Sequence, residues 1–153
     1  MASVAEVTPD LSKPGFEQLA QFRYCIRQFI HFSEQAARAY GIEPQQHQLL
    51  LALKGLPPGM RPTVRTLAQR MCLRHHSTVE LINRLAERGA VVRTASDRDR
   101  REVLIEITPF GEETLHKLSL LHWQELQSSG PALSTALQSI VEHGCENGSA
   151  THV

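Results

Sequence analysis

Apolar positions recur at helical spacing along most of this chain. Leu19, Phe22, Ile26, Phe29 and Ile30 return at intervals of three and four, the period of one helix face. A first helix is expected after Ser12-Lys13-Pro14, capped by Ser12 and running to about Tyr40, where Gly41 ends it. Pro44 opens a second, whose LLLAL run is apolar on most sides and therefore reads as buried. Gly55, Pro57, Pro58, Gly59 and Pro62 then interrupt the chain. Thr63 caps a third helix over about Val64–Met71, with Val64, Leu67, Ala68 and Met71 inward. Thr66 stands where a Glu or Gln would complete a capping box. A fourth helix is predicted from His75 to about Arg88, closed by Gly89, with Val79, Ile82, Leu85 and Ala86 as its inner face.

The period changes after Gly89. Ala90–Arg93 reads as a short strand, and Glu102–Ile107 alternates, with Val103, Ile105 and Ile107 on one face. The linking ASDRDRR is too charged for a core. Thr108-Pro109 then caps a fifth helix to about Ser128, striped by Leu115, Leu118, Leu121 and Leu126, with Glu112 and Glu113 in the first turn where the helix dipole favours them. Ser129-Gly130-Pro131 is expected to be a turn before a last helix, Ala132–His143, with Leu133, Leu137, Ile140 and Val141 on one side. Residues 1–12 and 144–153 read as a flexible arm and tail.

The order helix, turn, helix, strand, charged loop, strand is that of a helix-turn-helix followed by a β-wing, a module that holds duplex DNA. The fold class is thus mainly α with a small β-wing. The winged helix-turn-helix module occupies about 44–108 of a single unit, 13–143, and apolar stripes at about 13–40 and 109–143 exceed what its core needs. Surplus stripes of this kind predict dimerisation helices and a homodimer.

Formal net charge is zero, which by itself argues against a nucleic-acid partner. The distribution reverses that. Residues 61–107 hold ten arginines against six acids, a net of +4, which leaves −4 on the remainder. Every basic residue in the segment is arginine, the side chain suited to bidentate contact with phosphate or guanine. On the fourth helix Arg74, His75, Ser77, Thr78 and Asn83 are expected outward, with His76, as DNA-binding residues. In the wing, Arg98, Arg100 and Arg101 are candidates for groove or phosphate contact, against the alternative of pairing with Asp97, Asp99 and Glu102.

The combination of TVRTLAQRM, INRLAERG, the loop DRDRR and ITPFG opening a long helix resembles the MarR family of bacterial transcriptional regulators. The resemblance covers about Phe16 to Val141, and its most specific part is Asp99-Arg100-Arg101 followed by VLIEIT. It implies a homodimer on pseudo-palindromic promoter DNA, most often a repressor, with the fourth helix in the major groove and the wing in the minor groove. Arg101 matches the wing arginine of the family, Asp99 the acid that braces it, and Arg74 to Thr78 the start of the recognition helix. Where many relatives place a capping Asp or Ser, this chain has Arg-His-His. A ligand pocket between the dimer helices and the module would, by position, involve Phe22, Ile26, His31, Phe32 and His47, for a small aromatic or phenolic effector.

Rival readings differ in class. A thiol-responsive regulator would use Cys25, which otherwise reads as a buried apolar cysteine. A metal-responsive one would draw on the eight histidines, yet none are paired at i, i+4 spacing, and no metal or cofactor is expected. A winged helix can also serve as a protein-interaction module without DNA. Phosphate loops, nucleophile motifs and paired carboxylates are missing from the pattern, so no enzymatic activity is expected. The three widely spaced cysteines suit no disulfide framework, no run of 18 apolar residues suggests a membrane span, and the start shows no secretory pattern. The expected location is the cytoplasm.

Overall fold

The computed structural model describes residues 12–146. Its elements, in order, are α1 (Lys13–Ala39), α2 (Pro44–Lys54), α3 (Val64–Met71), α4 (His75–Glu87), β1 (Val91–Ala95), β2 (Val103–Ile107) and α5 (Pro109–Glu146). The expected arm and tail fall on residues outside this range, apart from Ser12 and the 144–146 end of α5. Among the described residues, no helix is long and apolar enough to cross a membrane.

The chain divides into two compact units. One runs Ser33–Trp123 and so takes in more than the 44–108 module: the end of α1 and the start of α5 belong to it. Leu49 and Leu50 of α2, Leu67 of α3, Ile82 and Leu85 of α4, Val91, Ile105 and Leu118 are all fully buried in its core. Not all of α2 is buried, because Leu51 lies opposite the Gln46–Leu49–Leu50–Leu53 stripe and is exposed. On α4 the inner face is Thr78, Leu81, Ile82 and Leu85, spaced i, i+3, i+4, i+7. Val79, expected inward, is only half-buried.

The two strands pair antiparallel from Val91↔Ile107 to Ala95↔Val103. A third segment extends the ribbon: Thr63 bridges Leu104, and the Ile105 N–H donates to the Pro62 carbonyl at 2.8 Å. The run that opens α3 is therefore hydrogen-bonded to β2. At the far end of β2, the Thr108 N–H donates to the Ala90 carbonyl at 3.0 Å, and its Oγ1 accepts from the Gly111 N–H at 3.1 Å to cap α5. Gly111 is required there, since a Cβ would lie 2.2 Å from the Ala90 oxygen.

The second unit comprises the described residues up to Phe32 and from Gln124 onward. Gln18 Nε2 donates to Ser139 Oγ at 2.7 Å, and Cys25 and Ala136 are buried. Phe16, Tyr24, Ile30, Leu137 and Val141 remain exposed. The turn expected at Ser129-Gly130-Pro131 does not form, and one helix continues through it. Pro131 removes the one backbone donor that would reach the carbonyl of Gln127, and the helix runs on through it; two residues earlier Ser129 Oγ donates to the Glu125 carbonyl at 2.9 Å.

Candidate nucleic-acid interface

α3 begins as its sequence directs, with Thr63 Oγ1 accepting from the Thr66 N–H at 3.2 Å. It ends in a left-handed residue that is not glycine: Cys72 has φ 53°. That conformation lets the Leu73 N–H reach the Ala68 carbonyl at 2.9 Å and turns the chain sharply into α4. The Cys72 side chain is exposed in the turn.

α4 starts without a side-chain cap. Arg74, at the capping position, is extended and makes no such bond, so the N–H groups of the first turn are not covered from it. Exposed donors at a helix N-terminus favour an anion such as a DNA phosphate. Arg74, His75, His76 and Asn83 are exposed as expected, and Ser77 is half-buried. Thr78 is a correction to the sequence reading. It is fully buried, and both its N–H and its Oγ1 donate to the Arg74 carbonyl at 3.0 Å. A hydroxyl satisfied within its own helix turn can enter a core, so Thr78 supports the helix rather than facing outward. Asn83 is already engaged: its Oδ1 accepts from an Arg93 guanidinium nitrogen at 2.5 Å. Its NH2 group is the donor that this bond leaves unused.

The wing loop is ordered by its own hydrogen bonds. Ser96 Oγ accepts from the N–H groups of Arg98 at 3.1 Å and Asp99 at 3.4 Å, while the Ser96 N–H donates to the Glu102 carbonyl at 3.0 Å. Asp99 Oδ1 accepts from the Arg101 N–H at 2.9 Å. Asp99 thus shapes the backbone under Arg101 instead of pairing with a guanidinium. Asp97, Arg98, Asp99, Arg100 and Arg101 are all exposed, and none of the three arginines joins an ion pair among the described residues. Glu102, a candidate partner for them, pairs with Arg61 at 2.8 Å. Arg61 also donates to Ser96 Oγ at 2.5 Å. Sequence reasoning counted Arg61 only as charge, and no local spacing signals its contacts with residues so far along the chain.

The pocket candidates divide between the two units. Phe22, Ile26 and Phe32 are half-buried and His31 exposed in the terminal-helix unit. His47 belongs to the winged-helix unit, where it is 1% exposed. Its ring lies 4.7 Å from that of His122, and its Nε2 has no hydrogen-bond partner among the described residues. Burial, and secondarily repulsion from His122, pushes its pKa down to about 4. His122 Nδ1 lies 2.6 Å from the Leu118 carbonyl, which can only accept, and its Nε2 lies 2.7 Å from Ser33 Oγ. Nδ1 is therefore the protonated nitrogen in the neutral ring.

Residues 40–102 match the MarR family model. A protein of Thauera aromatica named for transcriptional regulation of the hcr operon is 28% identical over 111 residues, which are 72% of this chain and 65% of that protein. The chain thus spans just under two thirds of the length of that relative. Among solved structures, AbsC of Streptomyces coelicolor, a MarR family transcriptional regulator, superposes with a TM-score of 0.68 at 21% identity, covering 87% of this chain and 95% of that one. CouR of Rhodococcus jostii, solved with p-coumaroyl-CoA bound, gives a TM-score of 0.65 at 21% identity, covering 93% and 96%. The fold in common is the winged helix-turn-helix with flanking helices.

Proposed function

We propose that this chain, whose residues 40–102 match the MarR family model, is a regulator of that family and represses transcription by binding pseudo-palindromic promoter DNA as a homodimer. The observation that carries the reading is the wing: Arg98, Arg100 and Arg101 project from a loop already fixed by Ser96 and Asp99, and no acid pairs with them among the described residues. Preformed, unpaired arginines suit a minor groove or its phosphates. The uncapped start of α4, with Arg74, His75 and His76 exposed and Ser77 half-buried, supports its placement in the major groove. The homodimer is supported by the apolar residues left exposed on the terminal helices, Phe16, Tyr24, Ile30, Leu137 and Val141.

Release by a small aromatic or phenolic ligand is part of the proposal, supported by the p-coumaroyl-CoA bound to CouR. Such a ligand shifts DNA binding only by its difference in affinity for the two shapes of the dimer. The experiment is footprinting on duplexes selected from a random pool, with and without aromatic acids and their thioesters. Two protected major-groove segments about 10 bp apart, each flanked by wing protection, are expected. Arg101→Ala should weaken binding by about 1–3 kcal/mol. A single protected segment would remove the dimer, and full affinity in Arg101→Ala would remove the wing contact.

A further inference from the structure

Arg61 lies outside both DNA-facing elements, and its two acceptors stand at the two ends of the wing loop. One guanidinium nitrogen donates to Ser96 Oγ, just after β1, and lies 2.8 Å from Glu102 Oε2, just before β2. Arg61 and Glu102 have equal side-chain exposure, 29%, so the pair is mostly withdrawn from solvent and less screened than a surface pair. Residues 62 and 63 then join β2 through the Pro62 carbonyl and the Thr63–Leu104 bridge, and Thr63 caps α3. One short run thus ties the base of the wing to the first helix of the helix-turn-helix.

We propose that Arg61 is the positioning residue of the wing: it holds Ser96 and Glu102 in place so that the arginines of the loop meet DNA in fixed register with α4. The inference rests on the reading that the wing contacts DNA. Ser96 is the centre of the device, because its hydroxyl takes the Arg61 donor and also orders the Arg98 and Asp99 amides. Without Arg61 the carboxylate of Glu102 loses its partner and becomes a competing anion beside the cationic tip. The loop then samples more conformations, and ordering it again on DNA lowers affinity.

The test has two arms on the full-length protein. By NMR amide exchange without DNA, Arg61→Ala should speed exchange at Arg98, Asp99 and Glu102 by about tenfold or more, with Ile82 and Leu85 of α4 unchanged. In duplex binding, Arg61→Ala should weaken affinity by about tenfold, of the order of one lost well-placed contact. It should have no further effect when Arg98, Arg100 and Arg101 are all alanine. A side chain that itself touched phosphate would keep its full effect in that background, and this result would overturn the proposal. Unchanged exchange at the loop amides would overturn it as well. If the triple-alanine wing binds DNA as tightly as the unaltered protein while Arg61→Ala still speeds exchange, it is the DNA reading of the wing that fails. Should Arg61→Ala not fold, Ser96→Ala and Glu102→Ala remove the two acceptors separately, and each must show the same pattern or the proposal falls.

Discussion

His47 shows how a single buried group makes stability depend on pH. Its folded pKa, about 4, lies below the ordinary value of 6.5, because burial first and His122 second disfavour the imidazolium. Between those values the unfolded chain binds a proton that the folded chain does not, so stability is lost as pH falls through the window and levels off below it. Urea unfolding at a series of pH values should show a loss of about 1–3 kcal/mol between pH 7 and 4 that His47→Gln removes. An identical pH profile in His47→Gln would contradict the burial argument. At this scale the sequence was unevenly legible. Arg98, Arg100 and Arg101 lie exposed in a loop, because a run so charged has no place in a core. Thr78 departs from expectation because a hydroxyl in sequence signals an outward position, whereas here its bond to the Arg74 carbonyl lets it enter the core. Arg61 gave no signal, since Ser96 lies 35 residues further on.

The elements follow local rules wherever caps and periods agree. α3 has the bounds that Thr63 and its apolar spacing dictate, and α2 opens at Pro44. Ser129-Gly130-Pro131 misleads for the converse reason: a proline signals a break, yet it removes only one backbone donor, and the helix continues through it. The inner face of α4 is displaced from the expected one because Thr78 and Leu81 take the places given to Val79 and Ala86. The ITPFG segment carries a sharper constraint. A methyl group at Gly111 would lie 2.2 Å from the Ala90 oxygen and 2.9 Å from Ile107 Cγ1, so the start of α5 must back away from the strand. Gly111→Ala is expected to destabilise the protein by about 1–3 kcal/mol or more, read by chemical unfolding. An unchanged unfolding midpoint would show that this junction yields without cost.

In the whole molecule, a formal charge of zero conceals a basic winged segment, with ten arginines against six acids over residues 61–107. Element order and charge were legible together because each segment of helix or strand carries its own period. The division at Phe32 and Trp123 was not, because it cuts through α1 and α5, where the helical period runs on without interruption. In the proposed complex, arginines of the wing and the start of α4 neutralise DNA phosphates. Each neutralised phosphate releases condensed counterions and contributes about −0.9 to the slope of log affinity against log salt. The direct measurement is therefore equilibrium titration of a selected duplex from about 50 to 200 mM salt. A slope of about −4 or steeper is the predicted result, becoming shallower when Arg98, Arg100 and Arg101 are replaced by alanine. A flat salt dependence, or one unaffected by those replacements, would contradict it.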